Sequence, residues 1–182
     1  MQALASFVRT IDRFNDAIGR AVSWLTLAMV LITFGVVVLR YVFSLGWVWM
    51  QESYVWLHGI VFMLGAGYTL LHNGHVRVDI FYRPKSDEYR AWVDLLGALL
   101  LLLPVILMTF FGSWEYVIKS WAGFEESREA GGLPGLFVLK TVLWGFCFCI
   151  GTQGLSLAAR SFLILKGQQG LLPPTSIESG KG

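Results

Sequence analysis

Charged side chains are scarce in this chain and are missing altogether from four long stretches. Asp, Glu, Lys and Arg make up 14% of its 182 residues, about half their usual share in soluble domains. None of them occurs in 21–39, 55–71, 95–114 or 141–159. At about 1.5 Å per residue, each stretch roughly spans a hydrocarbon core of about 30 Å. The sequence therefore predicts an all-α integral membrane protein with four transmembrane helices, since the helices of a soluble bundle would each show a polar face.

Groups that carry chemistry are also rare. No Asp, Glu, Lys or Arg lies in the middle of a span, where ion-conducting transporters and pumps usually place an ionisable group. The 2 cysteines, Cys147 and Cys149, point in different directions on a helix and are typical of apolar packing. No Ser-His-Asp or HExxH arrangement occurs. We therefore expect no enzyme activity, no cofactor, no metal, no nucleic acid, and no transport pathway formed by this chain alone.

The uncharged stretches extend into tilted spans of about 18–43, 53–72, 87–121 and 134–166. They predict a single transmembrane domain over residues 1–166, followed by a polar tail, 167–182, that we expect to be disordered.

Two shorter segments flank the first span. Residues 1–20 carry apolar side chains at helical spacing and predict an amphipathic lead-in at the inner headgroup level, continuous with that span. The segment from Gly46 to Ser53 contains Trp47 and Trp49 and is compatible with a short interfacial helix between the first two spans.

Basic residues are unevenly distributed between the loops. Of the 14 Lys and Arg residues, four fall beyond the first or third span: Arg40, Lys119, Arg128 and Lys140. The other ten lie on the opposite side. Because cytoplasmic loops are enriched in Lys and Arg, both termini are predicted to be cytoplasmic, with the loop 115–140 outside.

Three polar side chains lie in or beside the second span. Arg40 and Glu52 flank the turn before it, where they either form an ion pair or extend separately to the membrane surface. His58 is the one histidine well inside a span, and no other span offers a second ligand for haem or metal. We expect a neutral His58 that is hydrogen-bonded to a neighbouring helix.

The second span ends in a polar segment. Asn73-Gly74 predicts a helix stop. The alternation that follows places His75, Arg77 and Asp79 on one side of an extended segment. This is either a solvated inner loop or a polar lock in which Arg77 pairs with Asp79 or with a partner chain.

Small residues predict where the helices meet, because close backbone approach drives helix association in lipid. Gly65 and Gly67 lie on the second span. On the fourth span, Gly151 and Gly154 fall on one line with Cys147.

Taken together, residues 10–165 resemble the small permease subunit of TRAP (tripartite ATP-independent periplasmic) transporters. The resemblance depends on the order and spacing of short segments: Arg40-Tyr41-Val42-Phe43, Trp49 to Glu52, Leu64-Gly65-Ala66, Gly74 to Asp79, Asp94-Leu95-Leu96-Gly97 and Gly131-Gly132-Leu133-Pro134. Gln51 departs from it, since the family often has a second acid there.

The resemblance implies a multi-pass subunit of the bacterial inner membrane that acts as a fixed scaffold. A large, elevator-type permease subunit would carry solute and sodium, and an extracytoplasmic solute-binding protein would deliver the solute. The implied function is sodium-driven uptake, or symport, of organic acids or similar solutes. Candidate contacts with these partners are Arg40, Glu52, His75, Arg77, Asp79, Glu125, Glu126, Arg128 and Glu129.

Two other interpretations remain open at this point. The small subunit of a tripartite tricarboxylate transporter shares the three-part organisation but is not expected to carry the Gly74 to Asp79 segment. A haem-type membrane anchor would show a visible absorbance band after purification.

Overall fold

The computed structural model describes residues 1–76, 82 and 84–172, and throughout these residues the regular structure is helical. Helices α1 (Gln2–Val42) and α2 (Val48–Leu71) supply the first two spans. The third span comprises α3 (Asp87–Leu96), a π-helical turn (Gly97–Leu102), α4 (Leu103–Gly112) and α5 (Trp114–Ala122). Helix α6 (Leu136–Leu165) is the fourth. All 4 are long and apolar enough to cross a membrane, which confirms the predicted fold class.

The lead-in and the first span form one uninterrupted helix. With 41 residues, α1 is about 60 Å long. Its buried residues recur at alternating steps of three and four: Ala5, Val8, Asp12, Asn15, Gly19 and Val22. The lead-in differs from the sequence expectation in its packing, because the polar Asp12 and Asn15 face the protein interior while Phe7 and Phe14 are exposed.

The segment from Gly46 to Ser53 does not form a separate interfacial helix. Val48 to Ser53 is the beginning of α2, with Trp47 as its N-cap. A hydrogen bond from the Trp49 amide to the Gly131 carbonyl (3.1 Å) ties this beginning to the loop before α6. Because the loop fixes the first turn, α2 starts in line with the span.

Local sequence explains where the third span begins and where its α-helical hydrogen bonding is interrupted. The Ser86 hydroxyl accepts a hydrogen bond from the Tyr89 amide (3.3 Å), which caps α3. Pro104 lies in the first turn of α4 and cannot donate a backbone hydrogen bond. The turn before it is π-helical, with the Leu103 amide bonded to the Ala98 carbonyl. A π-helical turn is a common way to accommodate such a break without ending the helix.

Helix α6 is the element against which the others pack. Helices α1 and α2 contact each other and α6, whereas the third span packs chiefly against α6. A Cβ atom added at Gly145 would lie 2.7 Å from the Leu64 side chain, and one at Gly154 would lie 2.6 Å from Leu102. These glycines therefore allow α2 and the third span to approach α6 closely.

Little of the span surface is buried inside the chain. Only 6% of the most apolar window of α1 or α2 is buried, and 22% of that of α6. The apolar core where α4 meets α6 centres on Ile106, Cys147 and Ile150. Most apolar side chains of the described spans are thus left to contact lipid or other membrane proteins.

The four glycines expected to mediate packing differ in what they contact. Gly67 is buried, and a Cβ there would clash with the Asn15 side chain and lie 2.9 Å from the Cys149 carbonyl. Gly151 and Gly154 face Ile106 and Leu102. Gly65 is different: no atom lies within 4 Å of its Cβ position. Among the described residues no side chain of another helix therefore occupies the space at Gly65, and its role in helix packing stays a prediction.

Candidate functional site

A cluster of polar side chains joins the start of α1 to the end of α6. We call Asp12, Asn15, Gln153, Ser156 and Arg160 the polar cluster. One carboxylate oxygen of Asp12 accepts hydrogen bonds from Gln153 Nε2 (3.0 Å) and Ser156 Oγ (2.8 Å). The other accepts one from Arg160 Nη2 (2.6 Å). Asp12 is only 9% exposed, so this carboxylate is held by the protein rather than by water.

Asn15 extends the polar cluster to α2. Its Nδ2 donates to Gln153 Oε1 (3.0 Å) and to the Ile11 carbonyl (3.3 Å). Its Oδ1 is buried without a conventional hydrogen-bond partner in the described residues. This oxygen lies against the Cα of Gly67, where any side chain would clash. A weak Cα–H···O contact is the interaction that this position offers.

Sequence reasoning missed the polar cluster. Residues 1–20 were predicted only as an amphipathic lead-in, and none of the five residues was a candidate. A signal was nevertheless present, since Asp12, Asn15 and Gly19 continue the three-and-four spacing of Ala5 and Val8. Gln153, Ser156 and Arg160 repeat that spacing on α6, and the two polar lines complement each other.

A second set of contacts joins α1 to α2 nearby. Asp16 pairs with Arg20 on its own helix and lies 3.3 Å from His72 Nε2. The His72 ring packs on Tyr68, with ring centroids 4.3 Å apart. Gly19 lies against the Tyr68 ring, where a Cβ would clash. These contacts fix the angle between the two helices at the end that carries the termini.

At the other end, Glu52 holds the loop between α5 and α6. Its carboxylate accepts hydrogen bonds from the Leu133 amide (2.6 Å) and from the Ser127 hydroxyl. With the bond between Trp49 and Gly131 these contacts form what we call the loop clasp. Among the described residues no ion pair joins Arg40 to Glu52. That alternative is wrong, because the carboxylate is turned toward the loop, whose amide and hydroxyl groups need an acceptor.

The loop clasp brings together two segments that both carry the family resemblance and that lie far apart in the sequence. Trp49 to Glu52 contacts Gly131 to Leu133, although about 80 residues separate Glu52 from Leu133. Gly132 lies so close to the Glu52 carboxylate that a Cβ would be 2.7 Å from it. The Gly131-Gly132 pair therefore allows the loop to close over the acid.

The charged residues of the loop between α5 and α6 fall into two groups. Glu125 pairs with Lys140, and Lys140 also lies over the Tyr116 ring, 3.9 Å from its centroid. The hydrogen bond from Lys140 lowers the pKa of the Glu125 carboxyl below its usual value. Glu126, Arg128 and Glu129 are exposed.

The remaining sequence-predicted site residues take part in neither the polar cluster nor the loop clasp among the described residues. His75 and Arg40 are exposed, and Arg77 and Asp79 lie outside the described residues, so the polar lock stays a prediction. The expected hydrogen bond from His58 to a neighbouring helix is not made within the part of the chain that the structure describes. There His58 is exposed on α2 and stacks on Phe62, with ring centroids 6.4 Å apart.

Comparison with known proteins decides the family. The family described as "Tripartite ATP-independent periplasmic transporters, DctQ component" matches residues 29–162, well over half of the chain. The chain belongs to the DctQ family. The match covers Glu52 and the α6 side of the polar cluster, whereas Asp12 and Asn15 precede it.

A curated relative agrees with the family assignment. This DctQ-family chain is 27% identical over 124 residues to the C4-dicarboxylate TRAP transporter small permease protein DctQ of Vibrio cholerae serotype O1. The aligned part covers 68% of this chain and 51% of the relative, so the chain spans about half the relative's length. No solved structure matches the chain.

Removing the cation of the polar cluster should destabilise the protein. In Arg160→Met the Asp12 carboxylate stays buried without its charged partner, and we expect a loss of about 2–4 kcal/mol in the free energy of unfolding. Thermal unfolding of the purified protein in detergent measures this loss. Lys166→Met, an exposed change at the end of the same helix, should leave the stability nearly unchanged. The double variant Asp12→Asn/Arg160→Met should be more stable than Arg160→Met, because it no longer buries an unpaired carboxylate. A double variant that loses as much stability as the sum of the two single variants would contradict a coupled pair.

Removing the acceptor of the loop clasp should loosen the loop between α5 and α6. In Glu52→Ala the Leu133 amide and Ser127 hydroxyl lose their partner, and tryptic cleavage after the exposed Arg128 should accelerate by about tenfold. Gln51→Ala, next to it on α2, is the matched control, since the hydrogen bonds to the loop come from Glu52 and none from the Gln51 side chain among the described residues. Identical cleavage rates for the two variants would show that Glu52 does not hold the loop.

Proposed function

We propose that this chain is the small membrane subunit of a TRAP-type secondary transporter and serves as a fixed scaffold for a large, elevator-type permease subunit. The observation that carries the proposal is the low burial of the four spans in a member of the DctQ family. A scaffold needs rigid helices with free apolar surface. Polar contacts at both ends of the bundle supply the rigidity, and the exposed span faces supply the surface.

The proposed location is the bacterial inner membrane, with both termini in the cytoplasm. The end that carries the polar cluster also carries Arg9, Arg13, Arg20 and Lys166, all exposed. An excess of basic residues favours the cytoplasmic side. The loop clasp would then face outward, where a solute-binding protein docks.

The proposed transport reaction is sodium-driven uptake of organic acids or similar solutes. The relative from Vibrio cholerae is named for C4-dicarboxylates, which supports a dicarboxylate as the first solute to test. We assign solute and sodium binding to the large subunit. The match to the TRAP family favours this assignment over a tricarboxylate-type subunit or a haem anchor.

The decisive experiment compares uptake with and without this chain. The chain, its large permease subunit and its binding protein are expressed together in cells that lack their own uptake system. Omitting the chain should reduce accumulation of radiolabelled C4-dicarboxylate to background, and the tagged chain should recover the large subunit from detergent extracts. The chain reconstituted alone in liposomes should transport nothing. Transport by the chain alone, or undiminished uptake without it, would overturn the scaffold.

The exposed charges of the outer loop are our candidates for seating the binding protein. Because Glu125 is engaged by Lys140, the free charges are Glu126, Arg128 and Glu129. Reversing both acids in Glu126→Lys/Glu129→Lys should reduce uptake by about tenfold. A binding-protein surface that is complementary to the two acids would be repelled by the two lysines, and this repulsion slows docking. Recovery of the large subunit should not change. Glu88→Lys, an exposed acid near the start of α3, is the control, and equal uptake by both variants would refute the docking role.

A further inference from the structure

We propose that one face of α2 is the docking line for a transmembrane helix of the large permease subunit. This face, which we call the α2 stripe, consists of Gln51, Val55, His58, Phe62, Gly65 and Thr69. The inference rests on the proposed function and adds to it the surface that meets the partner. The partner helix must offer a hydrogen-bonding group to His58 and a side chain to the open space at Gly65.

The α2 stripe is continuous; its central residues Val55, His58 and Phe62 are exposed, whereas Gln51, Gly65 and Thr69 are half-buried. Its members follow one another at alternating steps of four and three, the spacing that keeps residues on one face of a helix against a partner helix. Gly67, which contacts Asn15 and Cys149, lies on the opposite face. Val55 is 58% exposed and Phe62 is 68% exposed. The described part of the chain therefore leaves this seam without a covering helix.

His58 makes lipid an unfavourable cover for the α2 stripe. It lies about 15 Å from the start of α2, inside the uncharged stretch 55–71. Its imidazole is exposed, stacks on Phe62, and makes no hydrogen bond within the described residues. Acyl chains cannot satisfy an imidazole donor or acceptor, and polar side chains inside a membrane almost always face protein or a water-filled cavity. A hydrogen-bonding group on a neighbouring helix meets this need.

The α2 stripe has an open space at Gly65, which we call the hollow, and a side chain of the partner helix can fill it. Gly65 has no atom within 4 Å of its Cβ position, and the large Phe62 ring stands one turn before it. The Thr69 hydroxyl is already bonded to the Gly65 carbonyl (2.9 Å) and does not block the hollow. Small residues beside large ones allow helices in lipid to interlock. At the outer end, the Gln51 amide makes no side-chain hydrogen bond among the described residues, which adds a second polar group for a partner.

A second copy of this chain fits the α2 stripe less well than a different helix. Two copies in one membrane have the same orientation, so a two-fold contact along this line places identical residues opposite each other. Phe62 would then meet Phe62 and hold the helices apart, leaving the hollow at Gly65 empty. A helix of a different sequence can place a large side chain at Gly65 and a small one at Phe62. In the proposed complex, the large permease subunit supplies such helices.

Photo-crosslinking identifies what covers the α2 stripe. A photoreactive amino acid replaces Phe62 in the tagged chain, which is co-expressed with the large permease subunit and the binding protein and irradiated in membranes. We expect a crosslinked product with the mass of this chain plus the large subunit. The same probe at Met108 on α4, 75% exposed, is the matched control and should give at most a minor product. A product with the mass of two copies, or no protein product from Phe62, would overturn the proposal.

Substitutions measure the contribution of the α2 stripe to assembly. Gly65→Leu fills the hollow and should reduce recovery of the large subunit with the tagged chain by about tenfold, which corresponds to about 1.4 kcal/mol. His58→Leu removes one hydrogen bond and should reduce recovery by about threefold. Gly112→Leu, at an equally open glycine on α4, should leave recovery unchanged. Equal recovery with Gly65→Leu and Gly112→Leu would contradict the docking line.

The two proposals fail in different ways. If the unmodified chain recovers no large subunit and uptake does not depend on it, the proposed function itself fails and the docking line with it. If recovery and uptake are normal while the probe at Phe62 reaches only lipid, the function stands and the α2 stripe is refuted. The amount of each variant in the membrane, measured by its tag, separates lost assembly from lost folding.

Discussion

A buried carboxylate at the start of α1 governs how the helices of this chain meet. Asp12 is almost fully enclosed and binds Gln153, Ser156 and Arg160 on α6. A carboxylate in such a place is tolerated only with complete hydrogen bonding and a cation, so the rotation and height of α1 along α6 are tightly constrained. Asn15 also constrains the position of α2, because its Oδ1 lies so close to residue 67 that only a glycine fits there. Three of the four spans are thereby held in one arrangement.

Polar contacts at the two ends of the bundle explain how a chain with little buried apolar surface keeps a defined shape. The polar cluster fixes the end with the termini, and the loop clasp around Glu52 fixes the other. Between them the helices meet through small residues such as Gly145 and Gly154. In lipid, apolar side chains gain little by facing each other rather than acyl chains, so specific hydrogen bonds and close packing determine the arrangement. The broad faces are left free, as a scaffold requires.

The segments that carried the family resemblance have distinct structural roles. Glu52 is an acceptor for the loop before α6, and Gly132 leaves room for it. Asp94 accepts a hydrogen bond from the Tyr82 hydroxyl (2.6 Å), which ties α3 to the segment before it. Arg40 to Phe43 is exposed at the end of α1, and Gly65 faces open space. Some segments therefore hold this chain together, whereas others are free to meet a partner.

The all-helical fold and the number of spans followed from the sequence, because hydropathy depends on residues that are close together in the chain. The partners of Glu52, the burial of Asp12 and the exposure of His58 were decided by tertiary structure. Each depends on how a helix is rotated about its axis and which helix lies beside it, and a uniformly apolar helix such as α2 gives no periodic signal for that rotation. Gly65 and Gly67 illustrate the difference: the same residue type, two positions apart, lies on opposite faces, and only packing shows which one meets α1 and α6.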